Sequence, residues 1–162
     1  MDDGSMTLII ALVFLVACSA FFSASETAFS SLNQIRLKSR AEDGDASAAR
    51  VLAMAEKYDK LLSTILIGNN IVNIAAASIG TILFTRALGA ERGATMSTIV
   101  LTIVVLIFGE VTPKSLAKEM PETVATAVSP MLNLLMVLFT PLTWLFSQWK
   151  KLLGHFVHSS ES

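Results

Sequence analysis

Apolar positions gather into four stretches, and three of them are interrupted in the same manner. The first runs from Met6 through Phe22 to about Leu32 and is broken by Ser23-Ala24-Ser25-Glu26. The second runs from about Leu61 to Thr85 and carries Gly68-Asn69-Asn70, with Asn73 one turn on. The third runs from about Ala94 to Leu116 and carries Gly109-Glu110, with Pro113-Lys114 behind. A helix crosses the hydrocarbon core in about 20 residues, so spans are predicted at about 6–32, 61–85 and 94–116. The fourth stretch, Val124 to Phe146, is interrupted by Pro130 and Pro141. Each of these prolines removes a helical hydrogen bond.

Composition fixes the environment. The 162 residues are 53% hydrophobic and 15% charged, with a mean hydropathy of +0.64. This is a multi-pass domain of the cell membrane, with the lipid bilayer as its solvent. The formal charge of −1 gives no electrostatic support for nucleic-acid binding. The first stretch lacks a basic flank and a small-residue cleavage site, so it reads as a span rather than a removed signal. Cys18, the one cysteine, sits in an apolar run and reads as a small buried residue.

Lysine and arginine set the topology. Arg36, Lys38, Arg40, Arg50, Lys57 and Lys60 lie between the first two spans, whereas only Arg86 and Arg92 lie between the second and third. The N-terminal Met1-Asp2-Asp3-Gly4 has acids and no base. The positive-inside rule then places the N-terminus outside and the segment 36–60 and the C-terminus in the cytoplasm. A crossing fourth stretch would carry Lys150 and Lys151 outside, so 121–150 is expected as interfacial helices, with Trp144 and Trp149 at headgroup level. A kinked fourth span is the alternative. Segment 36–60 reads as two short juxtamembrane helices, with a turn at Asp43-Gly44-Asp45 and Asp45 or Ser47 as a cap. The fold class is therefore an all-α membrane protein with three transmembrane helices per protomer plus juxtamembrane and interfacial helices.

At a rise of about 1.5 Å per residue, and with membrane edges near Gln34, Leu61 and Lys118, the polar clusters fall at matched depths. Ser23 to Glu26 lie roughly 12–16 Å from the inner edge, Asn69 to Asn73 roughly 12–18 Å, and Glu110 roughly 12 Å. Ionisable groups at such depth mark ion pathways or buried contacts. Three oxygen-rich clusters at one level point to a hard cation.

Each cluster has a second reading. Ser23-x-x-Glu26 fits a capping box and predicts that the first span breaks and restarts there. The alternative is an unbroken helix whose serines bond back to carbonyls one turn earlier. Asn69, Asn70 and Asn73 offer neutral amide oxygens suited to Mg²⁺, Ca²⁺ or Na⁺, or else bond between helices. Ala76 and Gly80 are spaced for close helix contact. Pro113 cannot donate to the Gly109 carbonyl, which frees a dipole beside Glu110; the alternative pairs Glu110 with Lys114 one turn later. His155 and His158 lack carboxylate or cysteine partners and are not a metal signature. No phosphate-binding glycine loop and no Ser/His/Asp arrangement occurs, so no enzyme is expected.

Phe22-Ser23-Ala24-Ser25-Glu26-Thr27-Ala28, Gly68-Asn69-Asn70 with Asn73, and Gly109-Glu110-Val111-Thr112-Pro113-Lys114 together resemble the transmembrane domain of the CNNM/CorC magnesium transporters. The resemblance covers almost the whole chain, with residues 1–150 as the membrane domain. It implies a homodimer, three spans per protomer, a juxtamembrane helical belt, and secondary export of Mg²⁺, with Na⁺ entry as a candidate coupled flow. It further implies a largely dehydrated Mg²⁺ held by oxygens of Ser23, Asn70, Gly109 and Glu110, with Ser25, Glu26, Asn69 and Asn73 in or near the same shell. Cytoplasmic CBS modules are implied to follow the tail at 151–162. The competing readings are a cation channel and a non-transporting Mg²⁺-sensing membrane domain.

Overall fold

The computed structural model describes residues 3–161, and nearly all of them are helical. Met1, Asp2 and Ser162, on which part of the topology argument and the end of the tail rest, lie outside the described residues. The helices are α1 (Asp3–Ser30), α2 (Gln34–Glu42), α3 (Ala46–Glu56), α4 (Tyr58–Leu88), α5 (Ala90–Val104), α6 (Thr112–Glu119), α7 (Pro121–Leu138) and α8 (Thr140–Glu161). A π-helical segment, Val105–Val111, joins α5 to α6 without interruption.

Among the described residues, four helical runs are long and apolar enough to cross a membrane: Gly4–Ser30, Tyr58–Leu88, Ala90–Glu119 and Pro121–Leu138. Three coincide with the predicted spans, shifted by a few residues at their ends. The fourth is continuous across Pro130, where an interruption was expected. Pro130 lies inside α7 and leaves the Thr126 carbonyl without its backbone donor. The Ser129 hydroxyl donates to that carbonyl at 3.0 Å, so the helix passes through the proline intact. At the second proline the expected interruption is present: α7 ends before Phe139, and Pro141 falls in the first turn of α8, where its missing N–H has little cost.

The first span does not break. α1 runs unbroken across Ser23–Glu26, which overturns the predicted restart. The Ser25 hydroxyl donates to the Phe21 carbonyl at 2.7 Å, the back-bond of a continuous helix.

α1 packs along α4, the π segment and α6, with α7 also against it. Gly68 makes the first contact close: a β-carbon there would lie 2.2 Å from the Phe22 ring. α4 and α5 form a tight hairpin around Gly89, whose φ of +89° favours glycine. Gly93 lets α5 reach the Thr85 backbone, and Gly80 receives Leu101 and Ser97. The small-residue face of α4 thus packs on α5 of the same chain. The outward faces keep Ile10, Phe14, Ile74, Ile99, Ile103 and Phe108 exposed, as apolar solvent requires.

A buried core forms where α3, with α2 packed on it, meets α4 and α7. Leu37, Val51, Leu61 and Leu132 are wholly buried there. Asn33 caps α2 by accepting from the Arg36 N–H at 3.1 Å. Asp45 caps α3 by accepting from the Ser47 and Ala48 N–H groups at 3.0 and 3.2 Å. Arg40 donates to Asp45 at 2.7 Å and reaches Glu122 at 3.5 Å, tying this turn to the start of α7.

Candidate cation site

Three helices bring polar groups to one level. Ser19 lies eleven residues before the end of α1, Asn69 eleven after the start of α4, and Gly109 ten before the end of α6. Each is therefore about 15–17 Å from its helix end. The Ser19 hydroxyl is buried, donates to Asn69 Oδ1 at 3.3 Å, and would lie 3.0 Å from a β-carbon on Gly109. Ser19 is thus the hub between the second and third polar clusters. Sequence reasoning missed it because it lies inside an apolar run. The available signal was its spacing of one turn from Ser23.

The expected level was one turn off for α1. Counting from Gln34 aligned Ser23 to Glu26 with the asparagines, but α1 ends at Ser30. Glu26 is four residues from that end, about 6 Å along the axis, and is exposed. Asn70 is also exposed, on another side of α4 from Asn69. Neither is brought to Ser19. Ser25 is buried but engaged with Phe21.

Two predicted oxygens are in a different condition. Ser23 Oγ and Asn73 Oδ1 are buried and have no hydrogen-bond partner. A buried polar atom left unpaired costs about 1–3 kcal/mol, so such atoms are where a water or cation is wanted. They do not share one shell, however. The pairs Ser19–Asn69 and Phe22–Gly68 show that α1 and α4 run antiparallel. Ser23 therefore lies one turn to one side of the Ser19–Asn69 pair and Asn73 one turn to the other, about 12 Å apart along the axis. Mg²⁺ binds oxygens at about 2.1 Å, so one ion cannot touch both. The acceptors form a file along the α1–α4 seam.

The third cluster combines both of its sequence readings. Glu110 is paired with Lys114 at 3.2 Å, and its side chain is only 25% exposed. The backbone is also opened. The Thr112 N–H bonds to the Ile107 carbonyl, five residues back. Pro113 has no N–H to offer. The Phe108 carbonyl therefore loses both its α-type and its π-type donor, and the Gly109 carbonyl loses its α-type donor. π-helical turns often mark functional positions. Among the described residues no three His, Cys, Asp or Glu side chains gather as a metal site. A hard cation here would rely on hydroxyl, amide and carbonyl oxygens with one carboxylate.

Comparison with known proteins fits this architecture. The family described as the Cyclin M transmembrane N-terminal domain (CNNM) matches residues 10–161. The UPF0053 inner membrane protein YfjD of Escherichia coli K12 is 46% identical over 135 residues, covering 83% of this chain and 31% of the relative. A UPF0053 protein of Haemophilus influenzae is 41% identical over 151 residues, covering 93% and 36%. A protein named polyamine export protein, from E. coli K12, is 32% identical over 151 residues, covering 86% and 34%. The chain spans about a third of the length of these curated relatives.

Proposed function

Because this chain belongs to the CNNM transmembrane-domain family, we propose that it moves a cation across the membrane by secondary transport, with Mg²⁺ as the cargo. The observation that carries the reading is the pair of buried, unpartnered oxygens, Ser23 Oγ and Asn73 Oδ1, flanking the Ser19–Asn69 contact. Glu110 supplies the charge, and the carbonyls loosened by the π segment supply neutral oxygens. Lys114 occupies the carboxylate in the ion-free state and is displaced when the cation arrives. A site with a single competed carboxylate has modest affinity, which suits release. The π segment, rather than a break in α1, is the element that would change register between inward and outward access.

In this reading α1, α4 and the α5–α6 run are the three spans, with the N-terminus outside and the C-terminus in the cytoplasm. α7 lies with the juxtamembrane helices: it packs on α3, and Glu122 in its first turn meets Arg36 and Arg40 of α2. A homodimer, CBS modules following the tail, and export coupled to Na⁺ entry complete the proposal.

One observation favours a second cargo. The oxygens are strung along a seam, a layout suited to an elongated polycation, and relatives carry the name polyamine export protein. Liposomes loaded with a fluorescent Mg²⁺ dye, run with and without a Na⁺ gradient and beside labelled spermidine, decide between them. Dye response abolished by Glu110→Gln and reduced by Asn73→Leu supports Mg²⁺. Spermidine flux with the same sensitivity and no dye response replaces it. Binding of either cation without flux makes this a sensing domain.

A further inference from the structure

Away from the seam, the starts of α4 and α8 flank an open groove of about 390 Å³. Asp59, Lys60 and Ser63 of α4 line it, facing Trp144, Ser147 and Lys150 of α8. A second groove of about 300 Å³ shares Asp59, Ser63 and Lys150 with the first and continues between Leu62, Leu66, Phe146 and Trp149. One end is thus polar and the other apolar, and both open at the end of α4 where a membrane helix meets the headgroup layer.

Charge and shape narrow the occupant. Two ammonium groups and one carboxylate leave the polar end with a net charge of +1. Neither Lys60 nor Lys150 has an ion-pair partner within 4 Å among the described residues. Ser63 and Ser147 add hydroxyl donors beside them. A phosphodiester matches that set in charge and in hydrogen-bond acceptors. A soluble phosphate would leave the apolar extension unfilled, and a bare hydrocarbon chain would leave the lysines unneutralised. Tryptophans at headgroup level with basic residues nearby are the usual anchors for lipid contact.

We propose that the joined grooves bind one anionic phospholipid. The phosphodiester lies between Lys60 and Lys150, and an acyl chain runs along Leu62, Leu66, Phe146 and Trp149. The site is separate from the cation seam and does not depend on which cation is carried.

The chain's two tryptophans, Trp144 and Trp149, both line this site, so they report on it directly. The purified chain in neutral detergent is titrated with phosphatidylglycerol carrying brominated acyl chains, and Trp fluorescence is followed. Trp144→Phe isolates Trp149, and Trp149→Phe isolates Trp144. The expected result is quenching of Trp149 at several-fold lower lipid fraction than with brominated phosphatidylcholine, and stronger quenching of Trp149 than of Trp144. Lys60→Ala/Lys150→Ala should erase the preference for the anionic lipid, whereas Lys118→Ala/Lys151→Ala should retain it. If the double variant loses helicity by circular dichroism, Lys60→Gln and Lys150→Gln separately read the same ratio. Equal quenching by both lipids, or a preference that survives loss of both lysines, overturns the proposal. So does full displacement by soluble glycerol phosphate, which would make the site one for a free phosphate.

Discussion

Ser19 Oγ lies 3.0 Å from the position a β-carbon would take on Gly109, so the first span and the π segment touch through a hydroxyl and a bare backbone. Gly109→Ala should push Ser19 off Asn69 and lower stability by about 1–3 kcal/mol, the usual range for overpacking. Ser19→Gly in the same chain removes the obstructing atoms, so the double variant should be less destabilised than the sum of the singles. Thermal unfolding in detergent measures this. Strictly additive effects would mean that the two residues do not press on each other.

Gly68 and Phe22 offer a second close approach, on the α4 side of α1. The ring would stand 2.2 Å from a new β-carbon, and Phe22 is buried, with 6% of its surface accessible. Gly68→Ala should therefore destabilise more than Gly154→Ala, whose β-carbon meets nothing within 4 Å. Comparing the two melting temperatures checks it; equal shifts would remove the contact from the account.

Lys114 holds Glu110 at 3.2 Å. Lys114→Met should release the carboxylate and tighten Mg²⁺ binding several-fold in isothermal titration, while Glu110→Gln should abolish it. Weaker binding in Lys114→Met would show that the lysine positions the carboxylate for the ion rather than competing with it.

Asp45 gives a pH-dependent effect outside the membrane. The Ala48 N–H and then the Arg40 guanidinium hold its carboxyl below the usual carboxylate range. A depressed folded-state pKa means stability that is complete above the unfolded value of about 3.9 and lost as pH falls through the lower folded value. Asp45→Ala should thus melt earlier than the parent at neutral pH, with the gap closing below about pH 4. A gap that is constant down to strongly acid pH would show that the carboxylate's charge plays no part.

The third polar cluster shows how far residue patterns reach. Pro113 marks a missing donor wherever it stands, so the opening of the backbone near Gly109 was legible. The π register that extends the loss to the Phe108 carbonyl was not, because it depends on which carbonyl Thr112 selects. The asparagines make the same point. Asn69 and Asn70 are adjacent and chemically identical, yet only Asn69 meets Ser19, because neighbouring helical residues point about 100° apart. Ser23 and Ser25 divide likewise: one hydroxyl is buried without a partner and the other is engaged with Phe21.

Chain chemistry alone determined that this is a membrane protein of long helices, where its polar interruptions lie, and that a helix begins at Asp45 or Ser47. These follow from local rules: apolar length against bilayer thickness, the missing proline donor, and a carboxylate beside free N–H groups. Local bonds that the residue pattern left open keep α1 whole at Ser25 and carry α7 through Pro130 at Ser129. Tertiary structure alone decided that Ser19 rather than Ser25 or Glu26 joins Asn69 and Gly109, an outcome that depends on the axial offset and rotation of packed helices. A slide of one turn exchanges which oxygens meet, and that offset is set by close contacts such as Phe22 on Gly68, which lie 46 residues apart in the chain.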